Sequence, residues 1–234
     1  MSERQSGYEL CLEQIESQWL AHVPPLPGCF AVGPDPDTAA ARVPQAVAAY
    51  LLRMASHLAD PRPASTSDRV VEMIREWTHP NTDGYLVNAF FASDAEPLAE
   101  SELEGYKAAL LWSYDEVLAA VADVPRDLLW QPVEGDWSLG SILNHTSQAE
   151  WWYLNQFDLA PGTAKPESWR PRLELTQRHL LVQLPELVDV PTITVKSGEL
   201  WSARKMLRRA LYHRQDHTGH LHQIRDELGL ATLA

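Results

Sequence analysis

The sequence has little cysteine and no long apolar run. Its two cysteines, Cys11 and Cys29, lack a CxxC spacing, which favours small buried apolar residues over a disulfide or a thiolate zinc site. No apolar stretch approaches the length that a bilayer requires. The first residues also lack the basic segment and apolar core of a signal peptide. We therefore predict a cytoplasmic protein with no membrane partner.

The sequence also lacks a surplus of positive charge. Lysine and arginine total 19 against 32 acidic residues, which gives a formal net charge of −13. Nucleic-acid binders normally present a basic face to phosphates, so we predict no nucleic-acid partner. The basic stretch 204–214 is interpreted as a solvated or salt-bridged helix face. The alternative is that Arg204, Arg208 and Arg209 bind an anionic substrate, although Arg208 is equally interpretable as a surface residue.

The first 98 residues have the pattern of an α+β domain, a small antiparallel sheet with one main helix. A helix is indicated from residue 36 to 58, with Asp37 or Thr38 as its N-cap and Pro44 awkwardly inside it. Short β-prone runs separated by turn residues predict the strands, and the alternative left open is a strand–helix ambiguity ahead of the last run. These runs are 8–14, 18–23, 28–33, 69–78 and 84–93.

Residues 99–234 have the pattern of an all-α antiparallel four-helix bundle. Ser138 is a suitable N-cap, and Gly229 is placed where a helix ends at a C′ glycine. Loops with proline or glycine separate the helical patterns. These patterns cover 100–123, 138–158, 168–189 and 200–228.

Four histidines fall within ten residues of the last helical pattern: His213, His217, His220 and His222. At about 100° per residue the first three share one helix face and His222 lies opposite. A spacing of i, i+4 lets one helix offer two imidazoles to one metal ion. His145, on the apolar stripe of the second pattern, supplies a third imidazole. A single histidine is more often a hydrogen-bonded core residue, but facing stripes favour a three-histidine site with open positions, typical of catalytic metals.

The second and fourth helical patterns resemble the DinB/YfiT-like superfamily over residues 99–234. The resemblance implies a four-helix bundle, commonly dimeric, that binds a divalent metal such as zinc or nickel through three histidines. Carried over by position, the ligands are His145, His213 and His217. The matching residues are Trp137, Ser138, Ile142, Leu143 and His145, then His213, His217, Gly219, Leu221 and Gly229.

His220 stands where many relatives have glutamine. It is interpreted as a fourth ligand, a hydrogen-bond partner of a ligand, or a proton shuttle. An alternative register makes His220 itself a ligand, with Asp216 four residues before it. Ligating imidazoles usually donate their second N–H to a carboxylate or carbonyl, so Glu150 and Asp216 are candidates for that role or for acid–base chemistry. Each is also interpretable as a solvated charge or a salt-bridge partner.

The segment from Pro25 to Leu51 resembles the HicB-like antitoxin domain. It combines Pro-x-Leu-Pro-Gly-Cys-Phe with a following alanine-rich helix. The resemblance implies a small α/β sheet packed on one helix within residues 1–98. No DNA-binding segment of that family is visible, so the domain is interpreted as an interaction or oligomerisation module, or as a cover for the metal site.

The function that follows is a divalent-metal-dependent enzyme acting on a small molecule, as a homodimer. Relatives of the bundle include hydrolases and transferases that use a low-molecular-weight thiol, and the sequence does not select between them. One alternative is a non-catalytic interaction or metal- or ligand-sensing protein in which the HicB-like domain binds a partner. Another is a bundle whose metal site is structural or lost.

Overall fold

The first three strands of the chain lie side by side in a four-stranded sheet. A computed structural model describes residues 8–57, 72–77, 88–133 and 137–230. Strand β1 pairs antiparallel with β2, and β2 pairs antiparallel with β3. Their bounds, close to the predicted ones, are Glu9–Ile15, Gln18–His22 and Phe30–Gly33.

Helix α1 (Pro36–Met54) packs on this sheet. Its N-cap is Asp35, whose carboxylate accepts a hydrogen bond from the Thr38 amide at 2.7 Å. The sequence prediction of Asp37 or Thr38 therefore placed the cap two or three residues too late in the chain. Pro36 at the first helical position explains the shift, because its fixed φ suits a helix start and its missing N–H needs no partner. The helix also continues through Pro44.

Strand β4 (Glu72–Trp77) joins the other side of β1 and runs parallel to it, which makes the sheet mixed. The sequence predicted an antiparallel sheet, and the pairing of β4 with β1 departs from that prediction. The reason is that α1 lies between β3 and β4 in the chain, and a helical crossover permits parallel strands. The prediction of a strand over 84–93 is wrong for its described part. Residues 88–91 form no strand and Ala92–Ala95 form a 3₁₀ turn, while 84–87 lie outside the described residues.

The four predicted helices of the bundle are present. They are α2 (Leu103–Ala119), α3 (Leu139–Gln156), α4 (Trp169–Gln183) and α5 (Ala203–Glu227), and a short hairpin, β5 (Thr194–Lys196) with β6 (Glu199–Trp201), precedes α5. Both α2 and α3 pack against both α4 and α5. Consecutive helices α2 and α3 are therefore diagonal to each other.

Helix directions differ from a simple antiparallel bundle. Helix α3 is antiparallel to α5, since Glu150 meets Arg214 while Ile142 lies near Ile224. It is parallel to α4, since Asn144 meets Arg172 and Glu150 meets Thr176. Helix α2 is likewise parallel to α5, because contacts with Arg204, Arg214 and Arg225 come from successively later residues of the α2 region.

The parallel α3–α4 pair requires a long return of the chain. Residues 157–168 connect the two helices. Twelve residues reach up to about 40 Å, whereas the 18-residue α3 is about 27 Å long. The connection is thus long enough for α4 to start beside the start of α3, which helical periodicity alone does not reveal.

One hydrophobic core spans both halves of the chain. Leu10 and Leu12 of β1, Val43 of α1, and Leu207 and Leu211 of α5 belong to the same buried cluster. A division at residues 98 and 99 remains a prediction, as does the HicB-like resemblance. In the described part of the chain, no helix is both long and apolar enough to span a bilayer.

Candidate metal centre

Helices α3 and α5 bring the histidines together. Helix α3 starts at the predicted cap, where the Ser138 hydroxyl accepts a hydrogen bond from the Ser141 amide at 3.1 Å. Helix α5 ends before Gly229, whose φ of +68° is the left-handed conformation that a C′ glycine supplies. Because the two helices pack antiparallel, His145 near the start of α3 faces the second half of α5.

Three imidazoles converge between the helices. The Nε2 atom of His213 lies 3.2 Å from His145 Nε2 and 3.0 Å from His217 Nε2. One ligand atom from each residue lies within 4.8 Å of the others. Nitrogens that share a tetrahedral zinc ion at 2.0–2.1 Å lie about 3.4 Å apart. The side chains therefore fit a divalent metal with small adjustments, and they are the three histidines that the sequence analysis placed on facing helix stripes.

The electrostatics of the cluster favour neutral rings, the form that binds metal. Partial burial lowers the pKa of His145, whereas burial together with the neighbouring imidazoles and Arg209 lowers the pKa of His213 well below its ordinary range. The pKa of His217 is lowered to about 3, first by burial and then by His145 and His220. Close imidazoles cannot all be charged, so protons compete poorly for their lone pairs near neutral pH.

The second ring nitrogens have different surroundings. His213 Nδ1 is buried and has no hydrogen-bond partner among the described residues, whereas His217 Nδ1 lies 3.3 Å from His220 Nδ1. His220 is exposed and thus sits between the histidine cluster and solvent. Of the roles proposed for it from sequence, the geometry places it as a neighbour of His217.

The two carboxylates singled out from sequence have unlike positions. Asp216 is half-buried beside His217 and His220, with ligand atoms of all three within 4.8 Å of one another. Burial raises the pKa of Asp216. Glu150 instead accepts hydrogen bonds from Arg214 Nε at 2.7 Å and Nη2 at 2.9 Å. A buried carboxylate needs a charged partner, and Arg214 rather than a histidine provides it.

The arginines of α5 are not at a solvent-facing mouth. Arg204 pairs with Glu102 at 2.6 Å, and Arg208 pairs with Asp94 at 2.8 Å and Glu13 at 3.0 Å. Arg209 is buried, with its guanidinium over the Tyr212 ring. The expected salt bridges are present but a solvated face is not, because the first half of α5 is covered on all sides. Sequence reasoning did not find Glu13, Asp94 or Glu102 as partners, since no local pattern marks them.

A cavity of about 260 Å³ adjoins the histidine cluster. Two of its lining residues contact the cluster: the Trp137 ring packs edge-on against His145 at 5.8 Å, and His220 neighbours His217. The remaining lining combines apolar and polar side chains without a lysine or arginine among the described residues. It consists of Ile142, Gln223, Ile224 and Glu227.

Comparisons with known proteins add a fold likeness. No family model matches the sequence, and no curated protein does. Among solved structures, the chain is similar to YfiT from Bacillus subtilis, a "probable metal-dependent hydrolase with an unusual four-helix bundle topology". The identity is 15%, with a TM-score of 0.46 over 58% of this chain and 93% of that one. At these values the likeness carries no weight for function, which rests on the side chains described above.

Proposed function

We propose that this protein is a divalent-metal-dependent enzyme acting on a small organic molecule, with His145, His213 and His217 as the metal ligands. The observation that carries the proposal is the convergence of their three Nε2 atoms at 3.0 and 3.2 Å. Imidazole donors suit zinc and nickel. Three protein ligands leave positions open for water or substrate, as catalytic sites require and closed structural sites do not.

The residues around the cluster support chemistry rather than metal storage. A divalent ion held there would act as a Lewis acid and lower the pKa of a bound water or thiol. His220 contacts His217 and is exposed, so we assign it the exchange of protons between the site and solvent. Asp216 is placed beside His220 to orient its ring. Glu150 forms a buried ion pair with Arg214, so we assign it a structural role in the bundle and no acid–base role.

The cavity beside the cluster is the proposed substrate pocket. Trp137, Ile142 and Ile224 supply apolar walls, and Gln223 and Glu227 supply polar groups. Small-molecule sites commonly have this composition. Because Arg204 and Arg208 are held by carboxylates, the arrangement favours a neutral or cationic substrate over an anionic one.

Elemental analysis of the dialysed, tag-free protein tests the metal site. We expect one tightly bound divalent ion per chain, and its loss in His145→Ala, because two ligands from α5 alone hold a metal weakly. The matched control is His222→Ala, which removes an imidazole from the same helix on the face away from the cluster. A metal-free wild-type protein whose stability is unchanged by chelator would exclude the enzyme and favour the non-catalytic interaction or sensing protein.

The choice between a hydrolase and a thiol-dependent transferase needs a second measurement. The visible spectrum of the cobalt-substituted protein reports ligand exchange at the metal. A spectral change on adding a low-molecular-weight thiol supports the transferase, whereas a spectrum that only substrate analogues alter supports the hydrolase. We keep the homodimer as part of the proposal, and light scattering of the purified protein decides it.

A further inference from the structure

The ring of His217 faces two groups of potential ligands. Its Nε2 atom lies 3.0 Å from His213 Nε2, inside the three-histidine cluster. Its Nδ1 atom, on the opposite edge of the ring, lies 3.3 Å from His220 Nδ1. One imidazole thus presents a lone-pair position to each side.

Asp216 completes a second set of three ligands. Its carboxylate, His217 and His220 offer atoms within 4.8 Å of one another. Asp216 and His220 are four residues apart on α5, so both project from the same helix face. Two imidazoles and one carboxylate are donors that zinc, copper and nickel accept.

The separation of the two Nδ1 atoms matches a shared metal as well as a hydrogen bond. Two nitrogens on one tetrahedral ion lie about 3.4 Å apart, and the two Nδ1 atoms are separated by 3.3 Å. This separation is also close to the 3.2 and 3.0 Å between the Nε2 atoms of the three-histidine cluster. The half-buried Asp216 and the exposed His220 leave this set open to solvent. A net charge of −13 also favours the uptake of a second cation.

We propose that Asp216, His217 and His220 form a second divalent-metal site, and that His217 bridges the two ions as an imidazolate. Both ring nitrogens then bind metal, and the remaining ring proton of His217 is released to solvent when the second ion binds. With metal–nitrogen bonds of 2.0–2.1 Å, the ions lie about 6 Å apart. This inference rests on the proposed three-histidine site, with which it shares His217. The second site, having fewer buried ligands, binds more weakly than the first, and His220 and Asp216 serve proton exchange only while it is empty.

Copper titration followed by electron paramagnetic resonance tests the proposal. Copper(II) is the probe because it binds nitrogen and oxygen sites tightly among the divalent metals. The wild type should take up two ions per chain, and the integrated signal should fall well below two spins because the imidazolate couples them. His220→Asn and Asp216→Asn should each take up one ion with a full one-spin signal. His222→Asn, a histidine change on the same helix, should behave as the wild type.

Each failure has its own signature. Uptake of a single ion by the wild type, lost in His145→Ala, leaves the three-histidine site standing and overturns the second one. Two ions in His220→Asn also overturn it, and two uncoupled spins in the wild type overturn the bridge. No tight copper in any variant overturns both proposals. Because His220 is exposed and Asp216 half-buried, their variants should unfold at wild-type urea concentrations without metal, which verifies that the fold is intact.

Discussion

Removal of one member of the Glu150–Arg214 pair should destabilise the bundle strongly. Arg214 is fully buried, and it also donates to Leu110 O, Ser113 Oγ and Gln177 Oε1 at 3.0–3.1 Å. Thr176 donates to Glu150 at 3.1 Å. This layer links all four helices of the bundle. A buried charge that loses its partner costs about 3–5 kcal/mol, so we expect Glu150→Leu and Arg214→Met each to lower the free energy of unfolding by that amount.

The double variant Glu150→Leu/Arg214→Met should be more stable than either single variant. Gln177 Nε2 still donates to Leu110 O and Thr176 still donates to Leu173 O, whereas Gln177 Oε1 loses its donor Arg214. Replacing a buried ion pair by apolar residues is often neutral, so the double change should cost no more than about 2 kcal/mol.

Urea unfolding followed by tryptophan fluorescence, with chelator present, measures these differences. The control is Lys107→Ala, which removes an exposed i, i+3 pair with Glu104 and should shift stability by about 0.5 kcal/mol or less. Single variants within about 1 kcal/mol of the wild type, or losses that simply add in the double variant, would refute the reasoning.

Three further predictions concern two glycines and the dependence of stability on pH. A Cβ on Gly33 would lie 2.5 Å from the Ala39 amide nitrogen, so Gly33→Ala should force α1 off β3 and cost about 1–3 kcal/mol in the same urea assay. Gly219 lies inside α5 with open space around it, so Gly219→Ala should gain about 0.5–1 kcal/mol, and a loss there would contradict that account. Burial raises the pKa of Glu13, but Arg208, His22 and Arg209 outweigh it and hold that pKa far below its ordinary value. The unfolded chain then binds the extra proton, so this stabilisation is complete above about pH 4.5 and is lost as pH falls. Acid unfolding should therefore be shallower in Glu13→Gln, and an unchanged pH slope would show that Glu13 is not the titrating group.

Local patterns predicted the helices and much of the candidate site. The cap at Ser138 and the C′ position of Gly229 depend only on neighbouring residues, so sequence sufficed for them. The helical phase of His213 and His217 depends on the 3.6-residue repeat, and His145 was recognisable from its place on the apolar stripe. Convergence of the three rings then needed only one assumption, that the two helices pack against each other.

Tertiary structure decided what no local repeat encodes. The parallel α3–α4 pair follows from how the 157–168 connection returns, and periodicity contains no helix direction. Glu13 and Arg208 are 195 residues apart, yet their ion pair lies in the core. From sequence alone a charged residue is predicted to be exposed, because burial of a charge without a partner is too costly and the distant partner is not known. For the same reason the sequence did not decide between the two interpretations of Glu150, a partner of a ligating histidine or a salt-bridge residue. The structure pairs it with Arg214. The amino-acid sequence by itself thus determined the helices and the histidine cluster, whereas only the packed chain determined which charges are buried and which remain beside the cluster for chemistry.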